Sequence, residues 1–259
     1  MLLISLLLPV AMAKPRKNTP PTPPPLRESE PAETQATTPP PLGGQADSNT
    51  VFTALVDGVL REEVMEQYLP GAIAGEMPVA FEVEALKAQA VAARTYILYR
   101  MAHTNSKHPE ADVCGDSGCC KAYVNEETLR EKWGDAFEDN WEKMKNAVLE
   151  TDGQYLSYGG EAIVAVFHSS SASRTEDSEN LWLPMPYLVS VDSPETAGDV
   201  PNFVTTVEVS AEDFKSTILM LHPDAYFDGA PVLWLGEAKY YESGRVESVK
   251  IGGILVPGS

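Results

Sequence analysis

Basic residues are scarce. The 259-residue chain carries 19 Lys and Arg against 38 Asp and Glu, a formal net charge of −19. A nucleic-acid groove needs clustered cations, so that class is excluded, whereas a neutral polymer such as a glycan is not. Acidity of this size otherwise speaks for solubility rather than for a partner. Cysteine is nearly absent: three residues cannot build a disulfide framework. Long hydrophobic runs are missing as well. The apolar stretch that opens the chain, MLLISLLLPVAMA, falls well short of the ~20 residues a spanning helix needs. The sequence shows no internal repeat and no Gly-x-Ser-x-Gly nucleophile elbow.

What is present divides the chain into three. Residues 1–13 end in Ala11-Met12-Ala13, a small-residue pattern like a signal-peptidase site, but lack a basic n-region. They read as a signal peptide or as the remnant of a longer anchor. Both readings place the rest outside the cytoplasm, anchored or secreted. Residues 14–50 are rich in Pro and Thr, with almost no large apolar side chains. They predict an extended, partly polyproline-II tether, or a disordered tail without a role of its own. From Val51 to Ser259 the composition is globular, and 43% apolar residues over the whole chain allow a real core there.

Periodicity gives the elements. Val64, Met65, Tyr68 and Leu69 predict a short helix ending near Pro70. Leu86, Ala90, Ala93, Ile97 and Met101 mark a long helix over 82–101 with a buried stripe. Phe137, Trp141, Met144 and Val148 mark another, ending near Asp152-Gly153. Later the period changes. QYLSYGGEAIVAVFHS predicts a hairpin turning at Gly159-Gly160, and AKYYESGRVESVKIGG a second turning at Ser243-Gly244. Alternation predicts a strand over 203–209, and Ser210 a cap for a helix over 211–221. Helices first and a mostly antiparallel sheet later argue for an α+β fold.

Three stretches could carry chemistry. In GEMP, Glu76 lies between Gly75 and Met77-Pro78; Pro78 enforces a turn, and Gly75 would let backbone approach a ligand closely. A protonated Glu there could donate to a leaving oxygen and afterwards act as base, although most Glu residues in turns are simply solvated. Glu82 and Glu84 are alternatives, but both fall at a helix start, where a solvated carboxylate suits the helix dipole. In HPEADVCGDSGCCKAY, His108, Cys114, Cys119 and Cys120 lie within 13 residues. Three thiolates and an imidazole suit tetrahedral zinc of a structural kind; spacing alone leaves a disulfide equally open. In FHSSSASRTEDSENLW, His168 is followed by Ser169, Ser170, Ser171, Ser173, Arg174, Thr175 and Glu176. These could line a binding loop or form an ordinary polar loop. Trp182 and Tyr187 could stack on a sugar or belong to the core. Lys87, Gln89 and Arg94 on the long helix could reach a groove, or support the turn at Glu76.

Four stretches in order, YLPGAIAGEMPVAFEVEALKAQAVAARTY, VCGDSGCCKAY, FHSSSASRTEDSENLWLPMPYLVSV and SGRVESVKIGG, resemble the stage II sporulation protein D (SpoIID) family over about residues 51–253. The resemblance implies a lytic transglycosylase. Such an enzyme would cut peptidoglycan glycan strands, already stripped of stem peptides by a partner amidase, to 1,6-anhydromuramyl products during engulfment in sporulation. It further implies a membrane anchor and a cell-wall amidase or endopeptidase as partner. Glu76 matches the catalytic Glu. His108, Cys114, Cys119 and Cys120 match a zinc cluster found in part of the family. Arg94, His168, Ser169, Ser171, Arg174, Thr175 and Glu176 make up the candidate substrate-binding set. The chain departs from the family pattern at Cys119, where His is usual, at Lys121, where Gln is usual, and at Ala172-Ser173, where two glycines are usual. Relatives also continue past the position of Ser259. The rival readings are a non-catalytic glycan-binding enhancer of a cell-wall amidase and a zinc-stapled structural module.

Overall fold

The computed structural model describes residues 46–171, 173–200 and 203–258. The apolar head, most of the Pro-rich tether, and Ala172 lie outside the described residues. The rest divides into two units, 46–167 and 168–258. The fold is α+β, as the sequence predicts.

The first unit opens with a hairpin that periodicity did not reveal. Strands β1 (Val51–Val56) and β2 (Val59–Val64) pair antiparallel from Val51↔Val64 to Val56↔Val59. They turn at Asp57-Gly58, both with positive φ, the geometry that matches the right-handed twist of paired strands. Asp-Gly between two β-rich runs was the available signal. On β1, Phe52, Ala54 and Val56 alternate into the core.

Helix α1 (Met65–Glu76) follows directly and does not stop at Pro70. A proline at its sixth position forfeits one backbone bond, to the Glu66 carbonyl, a penalty of ~3 kcal/mol. Met65, Leu69 and Ile73 are completely buried on the same helix, each contributing roughly 1.5–3 kcal/mol, so burial outweighs the break. Helix α2 (Val83–Ala102) places Leu86, Ala90, Ala93 and Ile97 in the core; Met101, the last member of the expected stripe, is exposed. The small alanines let α1 and the later helix over Phe137–Leu149 pack closely against it.

Strand β3 (Val113–Cys114) adds to β1 in parallel, giving the order β2-β1-β3. Asp112 fixes its entry: the carboxylate accepts from the Thr53 backbone N–H and hydroxyl, both at 2.7 Å. Helix α3 (Glu126–Trp133) is capped by Asn125, whose side chain accepts from Thr128 N–H at 2.8 Å. Helix α4 (Phe137–Leu149) buries Phe137, Met144 and Val148. Strands β4 (Ser157–Tyr158) and β5 (Glu161–Ala162) form the expected hairpin at Gly159-Gly160, but it is only two residues long on each side.

In the second unit, β6 (Ser173–Arg174) pairs with β7 (Asp192–Ser193). Residues 203–209 are not a strand: Val204 is 67% and Val207 63% exposed, so neither face of the alternating pattern is covered. Ser210 caps α5 (Ala211–Leu221) as expected, accepting from Asp213 N–H at 3.1 Å. Strands β8 (Leu235–Tyr240), β9 (Val246–Ile251) and β10 (Ile254–Pro257) form a meander in the order β10-β9-β8. Its first turn falls at Ser243-Gly244, as predicted. Phe214 of α5 packs against Phe227 and Trp234, which precede this sheet in the chain. Among the described residues, no helix is long and apolar enough to cross a membrane.

Candidate functional site

Glu76 is the last residue of α1, not a member of a tight turn. Met77 caps the helix with its N–H on the Ile73 carbonyl and is extended, as a residue before proline must be. The expected turn therefore begins one residue later. A carboxylate at a helix C-terminus opposes the helix dipole, which is a poor position for stability. It is held there from outside the helix: Glu76 Oε1 accepts the Ala122 backbone N–H at 2.9 Å.

Two glycines make that contact possible. Gly71 and Gly75 lie one helical turn apart, and segment 122–124 crosses the helix over them. A Cβ on Gly75 would stand 2.8 Å from the Ala122 carbonyl oxygen; one on Gly71 would stand 2.6 Å from both the Tyr123 ring and the Val124 carbonyl. The close approach that Gly75 permits is thus to the chain itself rather than to a ligand. Tyr123 in turn stacks on Tyr68, with ring centroids 4.4 Å apart. The loop after Glu76 is pinned by Lys143 of α4, which donates to the Val79 and Phe81 carbonyls at 2.8 and 2.7 Å.

Beside Ala122, Lys121 is half-buried between two aromatic rings. Its ammonium lies 4.7 Å from the Tyr96 centroid and 4.3 Å from that of Phe167. Burial lowers its pKa, against the opposing charges of Glu76 and Cys120.

The cysteine cluster ends directly before Lys121 in the chain. Ligand atoms of His108, Cys114, Cys119 and Cys120 all lie within 4.8 Å of one another, and the three thiols are free. Cys114 arrives on β3; Cys119 and Cys120 close a turn on the Asp116 carbonyl. His108 Nδ1 is 3.0 Å from the Ala111 carbonyl, so Nδ1 carries the proton and Nε2 turns its lone pair toward the thiols, 3.1 Å from Cys120 Sγ. That is the orientation a metal-ligating histidine takes. Asn105 Nδ2, 3.6 Å from Cys120 Sγ and 3.8 Å from Cys119 Sγ, supplies an N–H to sulfur. Burial pushes the Cys114 thiol up to about 12. Burial acts the same way on Cys120, but the Cys114 backbone N–H, the Tyr96 hydroxyl and His108 outweigh it and bring it down to about 7. For His108, burial works downward and is overcome by Cys120 and the Ala111 carbonyl, which raise its pKa. One imidazole and three thiols at this separation could hold a tetrahedral zinc, with bonds of about 2.0–2.3 Å.

Residues 58–158 match the family model of SpoIID, the stage II sporulation protein. The chain carries a domain of the SpoIID family. Over 156 residues it is 36% identical to stage II sporulation protein D of Bacillus amyloliquefaciens and 35% identical to that of Bacillus subtilis, matches that cover 60% of this chain and 45% of each relative. It is also 31% identical over 183 residues to the amidase enhancer of Bacillus subtilis, covering 70% of this chain and 21% of that protein. The aligned part is thus under half the length of these relatives. The SpoIID domain contains Glu76, Lys121 and the whole cysteine cluster; His168 and the residues after it lie beyond the matched stretch.

Within the SpoIID domain one expected substrate contact is overturned. Arg94 is 1% exposed and belongs to the scaffold. Its guanidinium pairs with Asp47 and also donates to the Gln154 and Val148 carbonyls. A group so enclosed cannot meet a polymer. Asp47 itself corrects the boundary: residues 46–50 belong to the folded unit, not to the tether. Glu82 and Glu84 are exposed at the start of α2, and Glu84 pairs with Lys87, which also reaches Glu150.

In the second unit, His168 and Ser169 are exposed, and the other named residues are tied to one another's neighbours. Glu195 organises the serines, accepting from Ser170 Oγ at 2.6 Å, the Ser171 N–H at 2.9 Å and Ser193 Oγ at 2.6 Å. These donors lower its pKa, Ser170 foremost. Ser171 Oγ donates to the Arg174 carbonyl, and Arg174 pairs with Asp192 at 2.8 Å. Thr175 and Val191 exchange backbone and hydroxyl bonds. Glu176 accepts from Asn180 at 2.7 Å and from the Ser243 hydroxyl. Sequence reasoning missed Asp47, Asn105, Lys143 and Glu195, whose partners are set by the fold rather than by local spacing.

Proposed function

We propose that this chain is a lytic transglycosylase of peptide-free peptidoglycan strands, acting in sporulation engulfment, with Glu76 as its single acid-base group. The observation that carries the reading is the placement of Glu76: a half-buried carboxylate at the end of a rigid helix, with Oε1 fixed by Ala122 and Oε2 free of protein donors among the described residues. Protonated Glu76 gives its proton to the glycosidic oxygen between N-acetylmuramic acid and N-acetylglucosamine as the bond to the anomeric carbon breaks. The carboxylate then takes the proton of the muramyl 6-hydroxyl, whose oxygen bonds to the anomeric carbon and closes a 1,6-anhydro ring. The proton lost is recovered and no water enters, so the second carboxylate that hydrolysis needs is not required.

His108, Cys114, Cys119 and Cys120 fit a zinc ion by donor type, separation and imidazole orientation. With four protein ligands a bound zinc supplies no open position for chemistry; it supplies rigidity. The four residues then tie β3 to the turn that leads into Lys121 and Ala122, and so hold the N–H on Glu76. The second unit, with His168, Ser169, Ser171, Arg174, Thr175 and Glu176, is proposed to add to substrate binding. An extracytoplasmic location, through the apolar head, and a cell-wall amidase or endopeptidase as partner complete the proposal.

A second reading has one observation in its favour, the 31% identity to an amidase enhancer: binding glycan or an amidase without cutting. Mass spectrometry of peptide-free strands incubated with the purified chain separates the two. New 1,6-anhydromuramyl ends are the expected result. Intact strands, together with faster peptide release by an added amidase, would favour the enhancer.

A further inference from the structure

The surroundings of Lys121 are those of a binding group. The ammonium is held along the faces of Tyr96 and Phe167, and Phe167 remains 43% exposed. Among the described residues it makes no ion pair and no hydrogen bond. Other cations of this unit are committed elsewhere, Lys87 to Glu84 and Glu150, Arg94 to Asp47 and Lys143 to two carbonyls; Arg100, whose charge also acts on Tyr96, has its Nε and Nη2 buried without a hydrogen-bond partner among the described residues and adds positive charge on the same side. Lys121 directly precedes Ala122, whose N–H is on Glu76, and its ammonium lies close enough to feel the Glu76 charge. The two side chains nevertheless form no ion pair, which leaves the ammonium open for an anion that arrives with the substrate.

We propose that Lys121 receives the lactyl carboxylate that muramic acid exposes once its stem peptide is removed, and so selects stripped strands. The inference rests on the glycan reading above and extends it to a specificity-determining residue. In intact wall the lactyl carbonyl is an amide and carries no charge. After amidase action it is a carboxylate, on the same sugar whose glycosidic bond Glu76 addresses. Acid and cation must then be neighbours without touching, as they are. A protein of net charge −19 repels a polyanionic strand, so a local cation is what could reverse that preference. The aromatic walls raise the strength of the pair by excluding water. A competing role, balancing the charge of the thiol cluster, would tie Lys121 to the stability of that cluster instead.

The test uses the full chain in a Glu76→Gln background, where strands bind without being cut. The probes are peptide-free glycan strands and the same strands with their lactyl carboxylates converted to methylamides. Binding to the carboxylate strands about tenfold or more tighter than to the methylamide strands is expected. Adding Lys121→Gln should abolish that difference by weakening only the carboxylate strands, and Lys121→Arg should retain it. Equal affinity of the parent for both probes would overturn the proposal. So would an equal loss on both with Lys121→Gln, which, with a lower melting temperature or lost metal, would assign Lys121 to the cluster. Absence of anhydromuramyl ends from the unsubstituted protein would count against the transglycosylase reading alone, because the binding preference is read separately.

Discussion

Arg94 and Asp47 form a buried, bidentate ion pair, Nε to Oδ1 at 2.7 Å and Nη2 to Oδ2 at 2.6 Å, with both side chains at most 3% exposed. Asp47 also draws in Asp152, whose carboxylate accepts the Asp47 N–H at 2.7 Å. The pair ties the first residues of the fold to the centre of α2 and the end of α4. Removing one partner leaves the other charge buried and alone, which costs about 3–5 kcal/mol, a large part of an ordinary stability of about 5–15 kcal/mol.

A chain starting at Ala46 should therefore melt like the full protein, and one starting at Val51 should melt far lower or lose its cooperative transition. Asp47→Ala in the full chain should reproduce the defect. Matching thermal curves for all four proteins would show that the pair is dispensable.

Gly75 should not tolerate a side chain. A Cβ there would meet backbone, the Ala122 carbonyl oxygen at 2.8 Å, so either α1 or segment 122–124 must move. Overpacking costs about 1–3 kcal/mol, against a helix-propensity gain of about 1 kcal/mol for Gly→Ala. Gly75→Ala should thus lower the urea midpoint modestly and glycan cleavage strongly, because the N–H on Glu76 is displaced. Unchanged cleavage would mean that Ala122 does not position the acid.

Zinc should be present at about one ion per chain, and prolonged chelation should lower the melting temperature, since structural zinc contributes folding energy. Cys120→Ser should lose the metal. Cys119→His, which exchanges one good zinc ligand for another, should keep it. A metal-free protein with a disulfide between two of the three cysteines would contradict the assignment.

Much of this was legible in the sequence, for reasons that differ by element. The stripe on α2 was readable because its period is unbroken from Leu86 to Ile97, and the turns at Gly159-Gly160 and Ser243-Gly244 because glycine supplies the positive φ they need. The end of α1 was not, because burial of Leu69 and Ile73 overrides the break at Pro70. The strand expected over 203–209 had the right alternation and no covered face. Glu76 could be singled out, but its setting could not: the hydrogen bond that holds it comes from Ala122, 46 residues later. Arg94 was open to a substrate-binding reading because nothing local announces a partner 47 residues earlier.

The central claim is tested most directly by replacing Glu76 with Gln, which retains an oxygen for the Ala122 N–H but cannot give up a proton. Release of anhydromuramyl ends from peptide-free strands would be compared for the parent, Glu76→Gln, Glu82→Gln and Glu84→Gln, with matched circular dichroism and melting curves. General acid-base groups typically contribute ~10²–10⁴-fold, so Glu76→Gln should fall at least that far while keeping its fold, and the two exposed residues at the start of α2 should matter little. A Glu76→Gln protein that still cuts near the parent rate would contradict the account and leave glycan binding as the better reading.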